Sequence, residues 1–214
     1  MIGHDRCGSS LTLPVRWLGV LTLLAALTPI AACQREPASS SSPAAGSLPA
    51  RPPLDFGGDF TLTNQDGQPF NLADVRGKPV LLFFGYTSCP DMCPMTMSRI
   101  MSARSLLGAQ GESVVTLFVS VDPKRDTPAQ LKQYVASFSA PLVALTGSEQ
   151  EVKQVAEMYH ASYEYLNAES SNYLVNHTTA IFLIDPRGRL REYVGYDVEP
   201  QRLADAIRAM TPGT

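Results

Sequence analysis

Residues 79–86, PVLLFFGY, carry no charge and run straight into two cysteines, Cys89 and Cys93, each followed by a proline. A continuous apolar run of this length is what a central strand buried on both faces requires. The segment after the cysteines, MTMSRIMSARSLLG, has helical periodicity and closes at Gly108. The chain therefore sets a dithiol at a strand-to-helix junction. Few arrangements of the remaining residues can accommodate that.

The other elements follow from local signals. DFTLTNQDGQPFNL alternates and turns at Gln65-Asp66-Gly67, which predicts an N-terminal β-hairpin. SVVTLFVSV (113–121) is a second buried strand and PLVAL a short third one. Thr127 followed by Pro128 marks a helix start, and Ser148 with Glu151 forms a capping box. TTAIFLIDPRGRLREYVGY is a hairpin turning at Asp185–Gly188, and Pro200 opens a last helix. Strands alternating with helices, then a hairpin and a helix, predict an α/β fold: a central mixed β-sheet flanked by helices. With a dithiol at the strand-to-helix junction, this points to a thioredoxin-like fold.

The ends divide the chain further. WLGVLTLLAALTPIAAC, Trp17 to Cys33, is about signal-peptide length and follows Arg6 and Arg16. Ile30-Ala31-Ala32-Cys33 resembles a bacterial lipobox, in which cleavage precedes a cysteine that is then lipidated. An uncleaved membrane anchor is the other reading. Residues 1–32 are thus a lipoprotein-type signal or an anchor, and 33–53 a Ser/Pro/Ala-rich linker. The folded domain spans 54–214. Both readings place that domain outside the cytoplasm of a bacterium, held at the membrane and facing the periplasm. The formal charge of −3 offers no basic footprint for nucleic acid.

This organisation decides the cysteine arithmetic. Of Cys7, Cys33, Cys89 and Cys93, cleavage removes the first and lipid occupies the second. Cys89 and Cys93 remain as the thiol pair in an oxidising compartment. A helix N-terminus favours thiolate, so at least one of them is more acidic than a free thiol. The pair can act as a redox dithiol, as a structural clip, or as two soft ligands for Cu(I) or zinc. A clip over three residues removes little chain entropy.

Two thiolates make an incomplete metal site. His4 leaves with the signal and His160 ends a helix as a surface or capping residue. His177, in YLVNHTTAIFLID, precedes a buried strand and is the candidate third ligand. A Cys2His set suits three-coordinate Cu(I), or Cu(II) with an added oxygen. Met92, Met95 and Met97 lie beside the dithiol. Met97 and Met101 share a helix face and read as core, whereas Met92, in the loop, is a candidate for partner or transient metal contact.

Three ordered blocks, GGDFTLTNQDGQPFNLADVRGKPVLLFFGYTSCPDMCP, VSVDPKRDTP and NHTTAIFLIDPRGRLREYVGY, resemble the Sco/SenC family of copper-binding, thioredoxin-like proteins. The resemblance implies a copper site, Cu(I) or Cu(II), on Cys89, Cys93 and His177. It also implies delivery of copper to the binuclear site of cytochrome c oxidase subunit II, or reduction of disulfides there. The implied partners are that acceptor, a copper donor and a thiol reductant. Many members carry Asp before the histidine, where a carboxylate can orient the ring; here the residue is Asn176. Asp122 and Asp126 fit the second block, the first as a residue facing the site and the second as a helix-capping aid. A thiol–disulfide reductase that needs no metal is the competing function.

Overall fold

Val80–Gly85 (β3) is buried at every position, as an unbroken apolar run demands. The computed structural model describes residues 51–211. The expected signal or anchor segment, Cys33 with its expected lipid, and nearly all of the expected linker lie outside these residues. None of the described helices is long and apolar enough to cross a membrane.

β3 pairs in parallel with β4 (Val115–Ser120), which pairs in parallel with β5 (Val143–Thr146). On its other side β3 pairs antiparallel with β8 (Ile181–Ile184), and β8 with β9 (Leu190–Val194). The N-terminal hairpin of β1 (Thr61–Asn64) and β2 (Pro69–Asn71) joins this sheet through β1 and β5. The order is β2-β1-β5-β4-β3-β8-β9, a mixed seven-stranded sheet. At the far edge the Leu54 N–H donates to the Leu190 carbonyl (2.8 Å), so the chain enters beside β9.

Alternation along β3 sends Leu81 and Phe83 to one face and Val80, Leu82 and Phe84 to the other. The first face packs on α1 (Met92–Leu106), α3 (Pro128–Ala136) and α5 (Pro200–Met210) through Met97, Ile100, Leu131, Leu203 and Ile207. The second packs on α4 (Glu149–Met158) through Val152, Val155 and Ala156, with Tyr159 beyond its end. Each fully buried Leu or Phe contributes about 1.5–3 kcal/mol of apolar transfer. The sheet is thus fixed from both sides, and its strand ends are rigid platforms.

The predicted caps are present. The Thr127 hydroxyl accepts from the Gln130 N–H with Pro128 in the first turn, and Ser148 and Glu151 form a reciprocal capping box. Three features were not predicted. Leu72–Val75 forms a turn of 3-10 helix, and Ala109–Ser113 forms a short helix, α2. More consequential is β6 (Tyr163–Leu166), which pairs antiparallel with β7 (Leu174–His177) as a separate two-stranded sheet.

Candidate metal centre

The loop from Tyr86 to Asp91 joins the C-terminal end of β3 to α1. The Cys89 N–H donates to the Tyr86 carbonyl (3.2 Å), which closes a turn. Asp126 braces the loop's start: its buried carboxylate accepts from the Thr87 N–H (2.9 Å), the Thr87 hydroxyl (2.6 Å) and the Ser120 hydroxyl (2.6 Å). Burial raises the Asp126 pKa, and these donors oppose the rise. The expected capping role is therefore corrected, since Thr127 caps α3 by its own hydroxyl.

Cys93 is the second residue of α1 and is 1% exposed. Cys89 is half-buried and lines a shallow, mostly apolar groove with Pro90, Met92, Leu166, Leu174 and His177. Gly85 makes the close approach of α1 possible. A Cβ there would lie 2.7 Å from the Phe118 ring and 2.9 Å from the Cys93 Sγ.

The two thiols are unequal. The Cys89 pKa is lowered to about 3, first by a hydrogen bond from the Cys93 thiol and then, against burial, by the His177 side chain and by main-chain N–H groups of Asp91 and Cys93. The Cys93 pKa is raised, first by that same bond and then by burial. At neutral pH the pair thus shares one proton, kept by Cys93. The unsatisfied amides of the helix start serve the Cys89 sulfur. Sequence reasoning expected at least one acidic thiol without saying which; that thiol is Cys89.

His177 ends β7, a strand not predicted, and precedes the buried β8 as expected. Its Nδ1 lies 3.0 Å from the Thr178 carbonyl. A carbonyl can only accept, so in the neutral ring Nδ1 carries the proton and Nε2 offers its lone pair. Nε2 lies 3.5 Å from the Cys93 Sγ. Phe83 and Tyr86 meet the ring edge-on, with centroids 6.0 and 5.8 Å away. Ligand atoms of Cys89, Cys93 and His177 all lie within 4.8 Å of one another. Three donors each about 2.3 Å from a metal in their plane stand roughly 4 Å apart. Small shifts, a slight widening of the 3.5 Å Cys93–His177 pair among them, would let this cluster hold a metal in three-coordinate geometry, with donors that suit Cu(I).

The remaining candidates fall elsewhere. Asn176 is exposed, and the Thr178 carbonyl occupies the ring nitrogen that a carboxylate at 176 was expected to orient. Asp122 is fully buried, but it binds the Arg125 guanidinium and the Tyr173 hydroxyl (2.6 Å) and is not among the three clustered ligands. Met97 is core, as expected, and Met101 packs against the same cluster. Met95 is exposed and Met92 lines the groove. His160 is exposed past the end of α4 with φ 52°, clear of the cluster. Sequence reasoning missed Tyr86, Arg125 and Tyr173. Arg125 stands in the quoted VDPKRDTP block, three residues after Asp122, which was its available signal.

A family model described as SCO1/SenC matches residues 49–212. A SCO2-like protein of Rickettsia prowazekii is 33% identical over 157 residues, 72% of this chain and 77% of its own. Protein SenC of Rhodobacter capsulatus is 35% identical over 151 residues, 71% of this chain and 68% of its own. Among solved structures, Bradyrhizobium japonicum ScoI with copper bound aligns with a TM-score of 0.66 at 35% identity. That alignment covers 72% of this chain and 99% of that one. The thioredoxin-like expectation stands on these likenesses and on the sheet described above.

Proposed function

The chain belongs to the SCO1/SenC family, and from that premise we propose that it is a copper carrier of the bacterial envelope. Cys89, Cys93 and His177 hold one copper ion as cargo and pass it by ligand exchange to the binuclear copper site of cytochrome c oxidase subunit II. Residues 1–32 direct export, a lipid on Cys33 tethers the chain at the membrane, and 33–53 let the domain reach donor and acceptor. The observation that carries the reading is the convergence of two sulfurs and an imidazole nitrogen within 4.8 Å at the wall of an open groove. The copper-bound relative supports the choice of metal.

The chain's own residues prepare the site. The Cys89 thiolate is preformed, and the Nε2 lone pair of His177 is directed by the bond that Nδ1 makes. Cys93 keeps a proton that metal binding must release, so uptake is coupled to deprotonation. The groove exposes Cys89 and shields Cys93, so an incoming donor meets Cys89 first.

A second reading rests on the free, unequal thiols. In a thiol–disulfide reductase, the Cys89 thiolate would attack a target disulfide and release one target thiolate. Cys93 would then displace the second, leaving a Cys89–Cys93 disulfide for a thiol reductant to reopen. A stabilised thiolate favours the reduced pair, which suits a metal-ready dithiol better than a strong reductant. The deciding experiment is copper stoichiometry and affinity of the reduced protein, wild type beside His177→Ala. One-to-one binding that weakens sharply in the variant supports the carrier. Weak binding indifferent to His177 leaves a bare dithiol and favours the reductase.

A further inference from the structure

His177 rides on a hairpin that is not a strand of the main sheet. β6 and β7 pair only with each other among the described strands. Val175 seats the hairpin in the core, and the hydrogen bonds that tie it to the domain, apart from the His177–Cys93 contact, run to one short segment, 121–125. The Tyr165 hydroxyl on β6 donates to the Val121 carbonyl (2.9 Å). The Tyr173 hydroxyl, one residue before β7, donates to Asp122 (2.6 Å). Arg125 Nη1 donates to the Tyr173 carbonyl (2.9 Å), while its Nε binds Asp122. The guanidinium carbon lies 3.6 Å from the Tyr173 ring centroid and 5.6 Å from that of Tyr86. Tyr86 in turn meets His177 edge-on.

We infer that Arg125 is a positioning residue for His177: with Asp122 and Tyr173 it clasps the β6–β7 hairpin and so sets where the imidazole stands relative to the dithiol. Arg125 is not one of the clustered ligands. It fixes Tyr173 by its carbonyl and by its ring, four residues before His177. Downstream, β8 begins at Ile181 and holds the other end of the segment. The ligand is therefore held between the rigid β8 and a hairpin that Val175 seats in the core and the side-chain clasp fixes from outside, and the clasp is the part that a polar substitution loosens. The aromatic faces add to the Asp122 pair in offsetting the desolvation of the partly buried guanidinium. Lysine keeps the charge opposite Asp122 but loses the planar fork and the stacking.

This inference rests on the copper reading of the site, and its test separates the two. Full-length Arg125→Lys and Tyr173→Phe are compared with wild type in two measurements. The first is amide hydrogen exchange over Leu174–His177 in the metal-free protein. The second is Cu(II) affinity with the nitrogen coupling in the electron paramagnetic resonance spectrum. The expected result is faster exchange in β7, about tenfold weaker Cu(II) binding and altered nitrogen coupling in Arg125→Lys, with Tyr173→Phe between it and wild type. Unchanged exchange, or faster exchange with unchanged affinity and coupling, overturns the positioning role. If wild type itself takes up no copper, the copper reading has failed, and the positioning role falls with it.

Discussion

The Cys93 sulfur and the His177 Nε2, 84 positions apart in sequence, stand 3.5 Å from each other. Neither reaches that place alone. Cys93 is carried in by the first turn of α1 over Gly85, and His177 by the end of β7. The sulfur is buried and protonated, and the nitrogen opposite it offers a lone pair. This contact adds a third donor to the pair of thiols in the proposed site.

Gly85→Ala tests the first of these approaches. The added Cβ meets Phe118, Phe83 and the Cys93 sulfur at 2.7 to 2.9 Å. Overpacking of this kind costs about 1–3 kcal/mol. Chemical denaturation should show that loss. Copper affinity should fall as well, because the displaced atoms include the Cys93 sulfur, a proposed ligand. Full stability with unchanged affinity would mean the strand–helix contact is slack.

Alkylation distinguishes the two thiols. Cys89 is half-exposed with its pKa lowered to about 3, while Cys93 is 1% exposed with its pKa raised. Iodoacetamide at pH 5, followed by peptide mass mapping, should label Cys89 and spare Cys93. Equal labelling would contradict the shared-proton picture.

Asp185→Asn gives a stability prediction with a pH signature. Burial alone would raise the Asp185 pKa, but N–H groups of Arg187 and Arg189 and the Arg189 guanidinium outweigh it, so the carboxyl lies below its usual value. A depressed carboxylate contributes stability above its unfolded pKa, about 4, and loses it as pH falls through the folded value. The variant should be about 1–3 kcal/mol less stable at pH 7. The gap should close on titration below pH 4. A gap independent of pH would assign the loss to packing instead.

Thr127→Ala removes the hydroxyl that accepts from Gln130 at the start of α3. About 1 kcal/mol should be lost, read as a shift in denaturation midpoint. Copper stoichiometry should stay unchanged, because α3 carries no member of the cluster.

What the sequence revealed was local. The caps at Thr127 and Ser148 and the hairpin turns at Gly67 and Gly188 are short-range chemistry, and they appear where their residues stand. β3 was legible because an eight-residue apolar run has few other uses. The β6–β7 hairpin was overlooked, although Tyr163 and Tyr165 flank the polar Glu164 and Val175 and His177 flank the polar Asn176. Its docking depends on Asp122 and Arg125, some 50 positions away, and no local pattern announces such a contact. The same holds for His177: its residue type and motif were legible, whereas its orientation comes from a main-chain carbonyl. Asn176 drew attention as a departure from the family pattern, yet on a strand the neighbour of an inward residue points outward.

The edge contact between Leu54 and Leu190 bears on how the domain is presented. Leu190 stands level with Ile184, and Ile184 with Val80, the first residue of β3. The cysteine loop leaves the other end of that strand. Six residues at about 3.3 Å each put roughly 20 Å of stiff sheet between chain entry and dithiol. Any tether upstream of Leu54 therefore joins the domain at the end of β3 opposite the groove that Cys89 lines. A surface that binds the tether and a partner that meets the groove need not compete for space.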